Sequence, residues 1–343
     1  MESAKTRPPT RSDSLDIGVV GAGAIGSVFG SALAAAGFRV RFIDNSPARV
    51  AAINTGNLRL VCDSAAGRAR IVPASAVTEA SAGLTFDALL FTVKGYATEV
   101  AAAAVSSCLR DGGVAISVQN GLGIHEQLAR HFDPSRIAVG STTVSAVVGE
   151  FGDTHVALDT WLGRSRTVLG AAKTLTPDSA NMVDRFAGAL SVSGLPAGTS
   201  ESVDNVIWTK LAYAVSIGTV CAVADTDIAG ALDSSSGHHL VRTIFDEVAS
   251  VAQAVGIPID NEAVWNDALE FWSSIKNHVP SMAVDLRAGR RTEVDSFALG
   301  VARLGSGVGA SAPYCRCLGE LIKMKELTTG SQSAANNGIK GTL

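Results

Sequence analysis

The chain has 343 residues, enough for two domains. Hydrophobic residues make up 47% and charged residues 17%, a globular balance, and no run of about 18 strongly apolar residues suggests a membrane span. A formal net charge of -4 gives no reason to expect nucleic acid or an anionic membrane as partner, so any bound anion must be held by a local site.

Residues 1–14 are polar, contain the pair Pro8-Pro9 and lack the apolar stretch of a secretion signal, so they read as a flexible extension. Residues 16–20 form a short β-type run ending on glycine. A small-residue helix at 27–36 follows, stopped by Gly37, and then a second strand at 39–43. This is one βαβ unit. Further strands are expected at 58–62, 88–93, 113–117 and 137–140, with helices such as 97–109 and 124–131 between them. The alternation predicts a mostly parallel sheet covered on both faces. Over 144–170, short strands with glycine turns suggest a closing antiparallel section.

From about residue 200 the texture becomes helical, with helices expected at 205–223, 239–255, 262–274, 281–286, 294–304 and 314–326. Gly256-Ile257-Pro258, Val279-Pro280 and the stretch 305–313 separate several of them. The expected fold is an α/β Rossmann-type N-terminal domain over 15–198, followed by a mostly α-helical C-terminal domain over 199–327. The boundary is expected near residues 196–202. A loose tail rich in Ser, Thr, Asn and Gly is expected over 328–343. The five cysteines, Cys62, Cys108, Cys221, Cys315 and Cys317, are odd in number and form no Cys-x-x-Cys pair. They read as buried free thiols in a reducing cytoplasm. No histidine pair has metal-ligand spacing on a helix face, so no metal is expected.

Gly21-Ala22-Gly23-Ala24-Ile25-Gly26 fits G-x-G-x-x-G, directly after a strand and at the opening of a helix. The first glycine permits the tight turn, the second lets the backbone approach a pyrophosphate, and the third allows close helix–strand contact. The helix N-terminus then offers N–H groups and a positive dipole end to the phosphates. Asp44 ends the second strand, where a carboxylate accepts ribose hydroxyls and repels a 2′-phosphate. That favours NAD(H). Arg41 and Arg49 lie close by in sequence and keep NADP(H) open.

Beyond this loop, Phe-Thr-Val-Lys ends at Lys94 and Gln-Asn-Gly-Leu-Gly runs from Gln119 to Gly123. Ile-Trp-Thr-Lys-Leu carries Lys210, Pro-Ser-Met-Ala-Val-Asp carries Ser281 and Asp285, and Arg-Arg-Thr-Glu-Val-Asp carries Glu293. Together, in this order, they make the chain resemble the ketopantoate reductase (2-dehydropantoate 2-reductase) family from about Asp16 to Glu326. The resemblance implies an NAD(P)H-dependent reduction of a 2-keto acid to a 2-hydroxy acid, NADP(H) as the family's cofactor, and a small-molecule substrate. It makes Lys210 the catalytic proton donor and Glu293 its acidic partner near substrate and ribose. Lys94 and Asn120 are placed near cofactor and substrate, and Ser281 and Asp285 toward the substrate. Reduction needs a donor beside the carbonyl oxygen, where negative charge develops, and an ammonium serves both to stabilise and to protonate it.

The chain departs from that pattern on the substrate side. Ala214 stands four residues after Lys210 where the family commonly has Asn, Gly218 stands eight after it where a polar residue is common, and Ala298 and Leu299 replace Asn-Gly. The implied pocket is more apolar than one for pantoate, so reduction of another 2-oxo acid is the alternative expectation, and a dinucleotide-binding regulatory protein without turnover is a third. A homodimer is left open.

Overall fold

β1 (Asp16–Val20) buries Ile17, Val19 and Val20 together. A strand that is apolar on successive positions needs cover on both faces, as in a helix-flanked parallel sheet. The computed structural model describes residues 15–65, 68–78, 83–149 and 152–339, with side chains as far as residue 328. The expectation of a flexible extension at residues 1–14 lies outside the described residues. In chain order the first half continues with α1 (Ala24–Ala35), β2 (Arg39–Ile43), α2 (Pro47–Gly56), β3 (Leu58–Cys62), β4 (Arg68–Val72) and β5 (Ala76–Val77). It goes on with β6 (Phe86–Phe91), α3 (Thr98–Val105), β7 (Leu109–Ser117), α4 (Ile124–Leu128), β8 (Ile137–Thr142), β9 (Ala146–Val148) and β10 (Thr154–Val156). α5 (Leu158–Trp161), β11 (Thr167–Ala171), α6 (Pro177–Val192) and β12 (Ala197–Thr199) complete it.

Eight strands form one sheet in the order β12-β11-β8-β7-β6-β1-β2-β5, parallel except where β11 runs against β8. The chain reverses its direction of travel across the sheet at β1, with β2 on one side and β6 on the other. Crevices beside the carboxyl ends at such a switch point are where open α/β sheets bind ligands. Val20 is level with both Ile43 and Phe91, so residues 21, 44 and 92 emerge together at that edge. β3, expected among the parallel strands, instead belongs to a second sheet of order β4-β3-β10-β9 that packs against α1. α2 and α6 were not expected. Each opens on a hydroxyl cap followed by proline: Ser46 Oγ accepts from Arg49 N and Thr176 Oγ1 from Ser179 N.

The second half is helical throughout: α7 (Val203–Ala224), α8 (Ile228–Leu232), α9 (Ser235–Ala254), α10 (Asn261–Ser274), α11 (Ser281–Arg287), α12 (Ala298–Gly307) and α13 (Pro313–Ile339). Its core gathers Trp208, Leu211 and Val215 of α7 with Phe245, Trp265 and Trp272, the last two rings edge-to-face at 5.8 Å. Buried Glu247 accepts from Tyr314 N and Cys315 N, satisfying the first N–H groups of α13 from another helix. α12 starts at Ala298, not at the expected residue 294. α13 is helical to Ile339, through much of the stretch expected to be loose. Cys317 is exposed, unlike the other four thiols.

By contacts, Asn120–Gly123 groups with the helical unit, whose main body starts at Asp204. That is five residues beyond the expected start at residue 199, because β12 and the turn after it still belong to the first unit. Among the described residues α7 is the one helix long and apolar enough to cross a membrane. Its apolar window is 61% buried inside the protein, as in a core helix.

Candidate active site

The glycines of the loop differ in what surrounds them. Gly21 has φ +100, and a Cβ there would lie 2.8 Å from Val93 Cγ1. A Cβ on Gly26 would collide with Gly21 O and with Thr92 Oγ1. Both positions are filled from inside the protein. At exposed Gly23 a Cβ meets nothing within 4 Å, so no internal packing calls for glycine there. Gly23 is also the N-cap of α1, and no side chain caps the helix. Bare surface at a helix N-terminus suits the close approach of a pyrophosphate, and Gly21 to Gly26 fit that group.

The Ala22 peptide is gripped from both sides. Its N–H donates to Asp44 Oδ2 at 2.7 Å and its carbonyl accepts from Arg49 Nε at 2.9 Å. Asp44 Oδ1 also accepts from Ser46 N at 2.9 Å. The Asp44 oxygens keep lone pairs for further donors, such as ribose hydroxyls. Arg49 places Nη1 on Gly152 O at 2.8 Å and Nη2 on Ser27 Oγ at 3.0 Å. All three guanidinium nitrogens thus donate within the protein, which ties Arg49 to the loop. Burial moves its pKa down, with Asp44 and Asp153 acting the other way.

Two polar residues not singled out from the sequence set the neighbouring strand ends. Thr92 Oγ1 donates to Gly21 O at 2.8 Å. Gln119 Nε2 donates to Val93 O at 2.6 Å and Thr98 Oγ1 at 2.8 Å, fixing the turn that carries half-buried Lys94. Their signal is a polar side chain just past a buried core strand.

In the helical unit, Lys210 stands half-buried on α7, its ammonium partly desolvated. Desolvation lowers its pKa to about 8, and the Glu293 carboxylate works in the opposite direction. Glu293 sits in a turn before α12, its carbonyl accepting from Ser296 N at 3.0 Å and Phe297 N at 3.1 Å. The turn 120–123 reaches the same place: Leu122 N donates to Ser296 O at 2.8 Å. Gly121, at φ +93, leaves room for Ser296, whose Oγ would lie 2.7 Å from a Cβ. Lys210 and Glu293 are thus brought together, and the turn carrying exposed Asn120 joins the turn carrying Glu293. Ser281 is exposed at the first residue of α11, whereas Asp285 is buried and accepts from Arg290 Nε at 2.9 Å. Among the described residues no group of three His, Cys, Asp or Glu could hold a metal ion.

A glycine phosphate loop at the switch point of a parallel sheet, with a desolvated lysine–carboxylate pair in a helical unit, defines a dinucleotide-dependent oxidoreductase acting on a CH–OH group. The family model described as "Ketopantoate reductase PanE/ApbA" matches residues 17–173, and its C-terminal counterpart matches residues 202–326. The chain belongs to the ketopantoate reductase family. It is 28% identical over 309 residues to a 2-dehydropantoate 2-reductase of Halobacterium salinarum, covering 90% of this chain and 98% of that one. It is 26% identical over 313 residues to one of Lactococcus lactis, covering 90% and 97%. Among solved structures it resembles D-mandelate dehydrogenase in a ternary complex with NADH and anilino(oxo)acetate. The TM-score is 0.83 at 25% identity, covering 92% of this chain and 99% of that one. A PanE/ApbA family ketopantoate reductase from Ralstonia eutropha JMP134 gives a TM-score of 0.80 at 26% identity, over 92% and 99%.

Proposed function

We propose that this protein reduces a 2-keto acid to the 2-hydroxy acid with Lys210 as proton donor. The observation that carries the reading is the desolvated Lys210 ammonium beside the Glu293 carboxylate. A bound nicotinamide dinucleotide supplies the hydride. Lys210 stabilises negative charge on the carbonyl oxygen and passes it a proton, and a pKa near 8 makes both protonation states accessible near neutrality. Glu293 keeps Lys210 charged until the proton is needed. Gly21, Ala22, Gly23, Ala24, Ile25 and Gly26 hold the pyrophosphate, and Asp44 takes the ribose hydroxyls, which favours NADH over NADPH. Lys94 attracts anionic groups, and Asn120 offers its carboxamide to nicotinamide or substrate. Ser281 is the candidate hydroxyl for the substrate carboxylate. Asp285, which also pairs with Arg290, is the second candidate on the same helix for the substrate side.

Ketopantoate is the first substrate to test. A second reading, a 2-keto acid with a bulkier apolar group, draws on the face of α7 that follows Lys210. Ala214 and Gly218 continue that face at four-residue steps, and Gly218 is buried with nothing within 4 Å of a Cβ. The assay follows NADH or NADPH absorbance with ketopantoate, then with branched and aryl 2-keto acids. Turnover with ketopantoate supports the first reading and turnover with the others alone supports the second. Cofactor binding with no turnover on any 2-keto acid overturns both. Lys210→Ala should cut turnover by about 10²–10⁴-fold, the span typical of a lost general acid, with cofactor affinity nearly unchanged. Wild-type rates in that variant would remove Lys210 from the mechanism.

A further inference from the structure

Glu293 stands in a turn that α13 grips on both sides. On one side, Glu326 Oε1 accepts from Thr292 N at 2.7 Å and from Thr292 Oγ1 at 2.6 Å. Thr292 is fully buried, and its hydroxyl in turn accepts from Val294 N at 3.2 Å. On the other side, Lys323 Nζ meets Asp295 Oδ2 at 3.1 Å, and Arg291 reaches the same oxygen at 3.3 Å. Lys323 also bonds Glu326 Oε2 at 3.1 Å, one helical turn along. Between these residues, Lys325 Nζ donates to Ala222 O and Val223 O at 2.9 Å, closing the C-terminal end of α7. One stretch of α13 therefore anchors both elements that carry the Lys210–Glu293 pair.

We propose that Glu326 is a positioning residue for this pair: by holding the Thr292 backbone and hydroxyl from α13, it sets where the Glu293 carboxylate stands relative to Lys210. The proposal rests on the reading of Lys210 as proton donor. Glu326 acts through Thr292, whose N–H and hydroxyl both donate to it. Its carboxylate replaces water for a buried N–H and a buried hydroxyl, so its loss leaves two donors unsatisfied next to Glu293. The turn then relaxes, and Glu293 moves off its place.

The consequence for Lys210 has a definite sign. Glu293 is the charge that opposes the desolvation of Lys210. Other charges on this side include Lys323, Asp295, Arg291 and Lys325, and the first three remain paired among themselves when Glu326 is removed. Displacing Glu293 therefore lets the Lys210 pKa fall further, and the alkaline limb of the reduction rate moves to lower pH.

The test uses the full chain with Glu326→Ala, Glu326→Gln, Thr292→Val and Glu293→Gln. Two readouts are taken: the pH profile of kcat/KM, and the pH dependence of Lys210 acylation followed by mass spectrometry without cofactor. Glu326→Ala should lower kcat about tenfold with little change in cofactor KM, and shift both pH curves downward together with those of Glu293→Gln. Glu326→Gln keeps an acceptor for Thr292 and should restore most of the rate. Should the Ala variant fail to fold, Thr292→Val, which loses one of the two bonds, should shift the curves in the same direction. If Glu293→Gln shifts the curves while Glu326→Ala and Thr292→Val leave them in place, the positioning role is overturned and the pair survives. If Glu293→Gln itself shifts nothing, the pair falls, and the proposal with it.

Discussion

An ammonium moved out of water loses hydration that no single carboxylate restores, so its neutral form gains ground. Lys210 is in that position, with its pKa lowered to about 8 despite the opposing Glu293. Keto acid reduction uses the protonated form. Its kcat/KM should therefore hold below about pH 8 and fall roughly tenfold per unit above it, while oxidation of the hydroxy acid rises through the same range. Rate profiles from pH 6 to 10.5 in both directions check this, and a reduction rate flat to pH 10 would remove Lys210 as the donor. The same depressed pKa has a consequence for stability. Between about 8 and the ordinary lysine value of 10.5 the unfolded chain binds more protons at this site, so the contribution of Lys210 to stability increases with pH across that window. At this scale the sequence singles out a residue only where a motif carries it. Lys210 and Glu293 stood in such motifs. Glu326 did not: it lies 34 residues from Thr292, and a contact made by tertiary packing leaves no local spacing to read. Nor does the four-residue spacing of Ser281 and Asp285 reveal that Asp285 is buried and pairs with the exposed Arg290.

The elements were more legible than the side chains. β1, α1 and β2 followed from glycines and alternation because the loop between them obeys local backbone rules. α2 and α6 were legible in principle through Ser46-Pro47 and Thr176-Pro177, caps whose chemistry is local. The placement of β3 in a second sheet was not, because strand partners are chosen by distant residues. The α1 glycines give a prediction at this scale. Gly30 lets α1 lie against Phe42 of β2, and a Cβ there would collide with that ring. Gly30→Ala should thus cost about 1–3 kcal/mol, as overpacking does. Gly23 has no internal neighbour to displace and an ordinary φ of -71. Gly23→Ala should fold with a melting midpoint within a few degrees of wild type, yet raise the NADH dissociation constant by at least about tenfold, or 1.4 kcal/mol. Thermal melts and cofactor titrations on the two variants separate packing glycine from binding glycine. Unchanged affinity in Gly23→Ala would remove the pyrophosphate from this loop.

Each unit of the molecule has its own apolar core, and the chain passes between them more than once: Asn120–Gly123 belongs with the helices although both of its neighbours belong with the sheet. The glycine loop is in the sheet unit and Lys210 is in the helical one. On the proposed reading, binding of cofactor and transfer of the proton fall to different units and can be perturbed separately. A ligand held by the folded state alone stabilises it by RT ln(1 + [L]/Kd), about 2.7 kcal/mol at one hundred times Kd. For a unit of this size that amounts to a rise of roughly 5–11 °C in its unfolding midpoint. Calorimetry of the full chain should show this rise with NADH in the wild type. It should persist in Lys210→Ala, where the loop is untouched, and fall to about half or less in Gly23→Ala, where Lys210 and Glu293 are untouched. A rise that disappears in Lys210→Ala would mean that the proton donor also carries cofactor affinity, and the division of labour between the units would fail.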